Sequence, residues 1–65
     1  MDTLGDSFPV ELDRVRELRN IYKTIPTGGF ALSHIEPLLR QAERAWAEQD
    51  VVLMVRLYPI LAALQ

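Results

Sequence analysis

The chain has no cysteine and only one histidine, which excludes two common ways of stabilising a small protein, disulfides and metal sites of cysteine or histidine. Without cysteine there is neither a disulfide nor a thiolate metal site, and a single histidine cannot form a histidine-rich site. Disulfides, metals and partner chains are the usual reinforcements of very short chains. For 65 residues, this leaves a partner chain or very good packing. We therefore expect no metal or other cofactor, and we expect a homodimer.

The chain also lacks a strong excess of charge of one sign and a long uninterrupted apolar run. Its formal net charge is −2, whereas nucleic-acid-binding domains are normally basic. The apolar stretch 51–64 contains Arg56 and is shorter than the ~20 residues of a membrane span. No basic segment followed by an apolar one opens the chain, so it does not resemble a signal peptide. We expect a cytoplasmic protein without a membrane partner, and nucleic acid is disfavoured as a partner.

Hydrophobic residues make up 49% of the chain, too many for a disordered one. They recur at helical spacing in three segments, which predicts an all-α, three-helix protein. The predicted helices cover about residues 9–24, 34–49 and 51–64. Residues 1–8 are predicted to form a mobile N-terminal tail, and residues 9–65 a single helical domain.

The helix boundaries are predicted from prolines and capping residues. Pro9 suits the first turn of helix 1, and Pro26 with the glycines that follow it marks the turn that ends this helix. Ser33 and Glu36 have the spacing of a capping box at the start of helix 2. Asp50 is a candidate cap for helix 3. Because no glycine forces a break there, one helix that continues to the end of the chain remains an alternative.

Helices 2 and 3 have one resemblance to a known structural unit. Ala42 and Ala45, a turn at 49–50, and then Tyr58 and Ala62 resemble a single tetratricopeptide helical hairpin over about half of the chain. The resemblance implies an antiparallel pairing of these two helices and identifies no family.

The residues with catalytic potential are few. Ser7 lies in the predicted tail, Ser33 is the predicted cap, and His34 is the only imidazole base, interpreted as a solvated residue at the start of a helix. Asp13 and Glu17 share a helix face and have the chemistry of an acid–base pair, but a charged surface is the better interpretation. A chain this small also has little room for a pocket of ~300–1,000 Å³. We expect no catalytic residue and no enzyme activity.

Two groups of residues are candidates for binding another protein. Arg16, Arg19 and Lys23 recur at helical spacing and form a basic face on helix 1. Trp46 and Tyr58 belong to the residue types that dominate binding energy at interfaces, although the core is the alternative place for both. The basic face also allows a second function, that of a small dimeric DNA-binding transcriptional regulator.

Helix 3 is apolar on nearly every side and contains Pro59, which is expected to bend it. A helix of this kind must be covered on every side, and two-fold pairing is the commonest way for a chain to cover itself. The predicted dimer interface consists of Val51, Met54, Val55, Leu57 and Leu61. The sequence therefore predicts a non-enzymatic protein–protein interaction module, a regulator or inhibitor that binds a surface of another protein as a homodimer.

Overall fold

The computed structural model describes residues 3–65, and within them it contains three α-helices and no strand. The helices are α1 (Leu4–Lys23), α2 (Gly29–Glu48) and α3 (Val51–Ala63). The all-α, three-helix prediction is confirmed. The alternative of one continuous helix from α2 to the end is wrong, because the chain leaves helical geometry between α2 and α3.

Contacts between the helix ends give the direction of each helix. Phe8, near the start of α1, stacks on Trp46, near the end of α2, with ring centroids 6.0 Å apart. Near the end of α1, the Tyr22 hydroxyl donates a hydrogen bond of 2.8 Å to the carbonyl of Gln65, beyond α3. Helix α1 is therefore antiparallel to α2 and runs in the same direction as α3, so the chain forms an up-down-up bundle.

Helix α1 begins at Leu4, five residues before the predicted start at Pro9. A capping box holds this end: the Thr3 hydroxyl accepts from the Asp6 amide at 3.2 Å, and the Asp6 carboxylate accepts from the Thr3 amide at 3.4 Å. Residues 4–8 of the predicted mobile tail therefore lie in α1, and residues 1 and 2 lie outside the described part. The earlier start carries Phe8 into the core.

Helix α2 begins at Gly29, five residues earlier than predicted, so the Ser33–Glu36 capping box is also wrong. Ser33 lies within the helix, and its hydroxyl donates to the carbonyl of Phe30 at 2.6 Å. The reason is a tight turn, in which the Gly28 amide donates to the carbonyl of Ile25 at 2.9 Å. This turn reverses the chain within a few residues, so α2 starts directly after it.

The break between α2 and α3 is made without glycine. Gln49 adopts the left-handed conformation (φ 52°, ψ 41°), which ends α2. The Asp50 carboxylate then accepts from the Leu53 amide at 3.2 Å, which confirms Asp50 as the cap of α3.

The core lies along the axis between the three helices and consists of aliphatic side chains with one aromatic ring. Each helix contributes, and all of the side chains are almost completely removed from solvent: Phe8, Leu12, Val15, Ile35, Leu39, Ala42, Ala45, Met54, Leu57 and Leu61.

Candidate protein-interaction surfaces

Helix α3 has an inner side in the core and an apolar outer side in solvent. Val51, Val52 and Val55 are 58%, 65% and 57% exposed, and Ile60 is 45% exposed. Small apolar residues on the following turns are exposed as well. We call the whole set the outer face of α3: Val51, Val52, Val55, Pro59, Ile60, Ala62 and Ala63.

The outer face of α3 contains only part of the predicted dimer interface. Val51 and Val55 are on it and are available to a second molecule. Met54, Leu57 and Leu61 are instead buried against α1 and α2 within the same chain. The apolar pattern of α3 gave no sign of which side faces inward, because nearly every position is apolar.

The predicted basic face of α1 is partly neutralised by carboxylates. The Arg16 guanidinium lies 2.8 Å from the Glu43 carboxylate of α2 and 2.9 Å from the Asp13 carboxylate of its own helix. The hydrogen bond to Glu43 is the main cause that raises the pKa of Arg16 above its usual value. Arg16 therefore links α1 to α2, whereas Lys23 is exposed and Arg19 is partly exposed.

Two depressions lie on the surface of α2. The smaller, of about 220 Å³, lies between α1 and α2, and it is lined by Arg19 and Arg40 together with Glu36, Glu43 and Leu39. The larger, of about 460 Å³, lies over the first turns of α2. In the smaller depression two guanidinium groups are matched by two carboxylates, so it has no strong charge of one sign for an ionic ligand.

Trp46 and Tyr58 are half-buried and pack against the core. The Trp46 ring is nearly parallel to the buried Phe8 ring, with an angle of 18° between the planes. Both side chains thus contribute to the packing of a single chain, and both remain partly exposed.

Arg14 joins α1 to the end of α3, a role that the sequence did not indicate. Its guanidinium donates to the carbonyls of Leu61 at 2.6 Å and Leu64 at 2.8 Å, and also to the Glu11 carboxylate at 2.7 Å. The last carbonyls of a helix have no partner within it, and a cation is favourable there. Because the two ends are about fifty positions apart in sequence, only the fold brings them together.

Phe30 is the most exposed large apolar side chain among residues 3–65, at 79%. It contacts His34 edge-on, with ring centroids 5.3 Å apart. His34 is itself exposed and is not in the first turn of the helix.

Among residues 3–65, no three histidine, aspartate or glutamate side chains are grouped to hold a metal ion. None of the three helices combines the length and the apolar character that a membrane span requires. Comparison with protein-family models, with curated proteins and with solved structures found no match for this chain.

Proposed function

We propose that this protein is a non-enzymatic interaction module, a homodimer that regulates or inhibits another protein by binding its surface. The observation that carries the proposal is the outer face of α3. The core is already filled within one chain, so the exposed valines are not needed to complete it. A contiguous exposed apolar patch is typical of a site that another macromolecule covers.

The apolar side chains of the outer face are consistent with a weak and reversible dimer. Complete burial of a valine is worth ~1.5–3 kcal/mol, and more than half of each side chain is still exposed in Val51, Val52 and Val55. Association itself costs ~4–15 kcal/mol. The apolar gain from three valines per copy is therefore similar in size to this cost, and we expect the dimer to dissociate at low protein concentration.

A matched pair of substitutions tests the dimer. Val52 in α3 and Val10 in α1 are helical valines with almost the same exposure, 65% and 64%. Val52→Asp places a carboxylate on the outer face and in the first turn of α3, where the helix dipole favours a negative charge, so the helix should persist. In sedimentation equilibrium, the wild type and Val10→Asp should approach twice 7.4 kDa at high concentration, whereas Val52→Asp should remain at 7.4 kDa.

A wild type that stays monomeric at the highest accessible concentration would contradict the homodimer. A Val52→Asp variant that dimerises like the wild type would contradict the outer face of α3 as its interface. Leu57→Asp is unsuitable for this test, because Leu57 is in the core and a buried unpaired charge would unfold the chain.

The surface offered to the regulated protein is the part of the basic face that remains available, Arg19 and Lys23. Positive charge on an interaction surface mainly accelerates the encounter with a negatively charged partner, so we expect an acidic partner. In affinity capture from the native cell at low salt, a specific partner should be retained by the wild type and by Arg44→Glu, which reverses an exposed arginine elsewhere. It should be lost with the Arg19→Glu/Lys23→Glu variant. Equal retention by all three proteins would place the binding surface elsewhere.

The DNA-binding alternative has less support. Asp13 and Glu43 hold the Arg16 guanidinium and would repel a phosphate group placed there. Two cations then remain of the predicted basic face, on a chain whose net charge is −2.

A further inference from the structure

Arg56 is the only charged residue of α3, and it is exposed beside the valines of the outer face. Among residues 3–65, no carboxylate lies within ion-pair distance of it, whereas Arg14, Arg16 and Arg44 each have such a partner. The corner between α2 and α3 carries two exposed carboxylates, Glu48 and Asp50. Glu48 forms an ion pair of 3.1 Å with Arg44, whereas no cation of residues 3–65 lies within ion-pair distance of Asp50. This end of the valine cluster therefore keeps one net negative charge, and the other end is basic.

The spacing along the helix limits how two copies of this face can pair. A helix rises 1.5 Å per residue, so Arg56 lies about 6 Å beyond Val52 along the axis. A parallel pairing of two α3 helices would set Arg56 beside Arg56 of the second copy. An antiparallel pairing over the full length of α3 has its two-fold axis near Leu57, and this also brings the two Arg56 side chains together.

An antiparallel pairing that is centred on the valines avoids this repulsion. With the two-fold axis near Leu53, Val51 of one copy lies opposite Val55 of the other. Arg56 then reaches the corner of the second copy that contains Glu48 and Asp50. Of these three pairings, it is the one that brings unlike charges together at both edges of the pair.

We propose that a second copy of this chain covers the outer face of α3 in this antiparallel, valine-centred register, with Arg56 of each copy facing Glu48 and Asp50 of the other. The inference rests on the proposed homodimer and adds the geometry of its interface. Apolar contact supplies the affinity, while the two charged edges select the register, because like charges in the competing registers would be unfavourable.

Charge exchange between two variants tests the register. Arg56→Glu gives an acidic residue facing an acidic corner. The Glu48→Arg/Asp50→Asn variant gives a basic corner facing Arg56, and asparagine keeps the N-cap of α3 because it caps as well as aspartate does. Each variant alone should self-associate roughly tenfold more weakly than the wild type, as expected for the loss and reversal of two edge charge pairs. An equimolar mixture should recover wild-type association, because both edges of the mixed pair are complementary.

Sedimentation equilibrium at low and high salt measures these outcomes, with Arg40→Glu as a control that reverses an exposed arginine on α2. The control should associate like the wild type, and the difference between single variants and their mixture should shrink at high salt. The register is wrong if Arg56→Glu dimerises like the wild type, or if mixing gives no gain. Neither result would decide whether the homodimer forms, because the comparison of Val52→Asp with Val10→Asp tests that separately. A failure of the register can therefore be distinguished from a failure of the homodimer.

Discussion

Gly28 and Gly29 are adjacent glycines with opposite tolerance for a side chain. A Cβ atom at Gly28 would lie 2.1 Å from the carbonyl oxygen of Tyr22, whereas a Cβ atom at Gly29 would meet nothing within 4 Å. The neighbour of Gly28 is backbone at the end of α1, so it cannot move aside without opening the turn. We predict that Gly28→Ala destabilises the protein by ~1–3 kcal/mol or more. Gly29→Ala, in the first turn of α2, should be neutral or stabilising by up to ~1 kcal/mol. Urea denaturation measures both, and equal effects would contradict the turn geometry.

The capping residues give a second prediction at single positions. Asp50 caps α3 through its hydrogen bond with the Leu53 amide, whereas Ser33 lies within α2 and bonds only the carbonyl of Phe30. Asp50→Ala should therefore cost ~1 kcal/mol of unfolding free energy, and Ser33→Ala should cost little. Thermal denaturation followed by circular dichroism compares the two. A loss at Ser33 as large as that at Asp50 would favour the capping box that the sequence predicted.

Single residues also mark the limit of inference from the sequence. Asp50 was predicted as a cap because the cap and the amide that it accepts from are three positions apart. Arg14 could not be assigned to the end of α3, since its two carbonyl partners come close only when the helices are packed. The burial of Leu57 could not be predicted for the same reason. In a helix that is apolar on nearly every side, the neighbouring helices decide which residues are in the core and which are on the outer face.

At the scale of the helices, the helical spacing of the hydrophobic residues correctly predicted three helices. The predicted helix boundaries were less accurate. The start of α1 was predicted too late because proline is common in the first turn of a helix. Pro9 instead lies inside α1. The Thr3–Asp6 pair that starts α1 has aspartate where the usual pattern has glutamate or glutamine. The break between α2 and α3 was predicted from Asp50 as a candidate cap, although no glycine marks it.

Among residues 3–65, the ion pair between Arg16 and Glu43 is the one that joins two helices, and its coupling free energy can be measured. A double-mutant cycle with Arg16→Met and Glu43→Gln should give a coupling of ~0.2–1 kcal/mol, because both side chains are partly exposed. The coupling should weaken in high salt. The pKa of Arg16 is higher in the folded than in the unfolded chain, so its contribution is complete below the unfolded pKa and is lost only as the pH rises through the folded value. We therefore expect no titration of Arg16 in denaturation experiments between neutral and mildly alkaline pH. No measurable coupling would contradict the pairing.

For the whole molecule, the accessible surface of 4487 Å² is close to the ~4,200 Å² that mass scaling gives for a compact protein of 7.4 kDa. A core of this size supplies only ~3–5 kcal/mol of stability. The three helices nevertheless enclose a continuous core within one chain. The argument for a partner therefore depends on the outer face of α3, which is left over after folding, and no longer on a missing part of the core.

Dimerisation through that face should appear in the thermal stability of the protein. Binding between folded chains adds stability that rises with concentration, and in a domain of this size each 1 kcal/mol per chain raises Tm by ~4–8 °C. We expect the Tm of the wild type and of Val10→Asp to rise by several degrees as the protein is concentrated from the micromolar to the millimolar range. The Tm of Val52→Asp should stay constant over the same range, because its folded monomer keeps every core contact but cannot pair. A wild-type Tm independent of concentration would mean that the exposed valines are not covered by a second copy, and the outer face of α3 would then be free for a different protein.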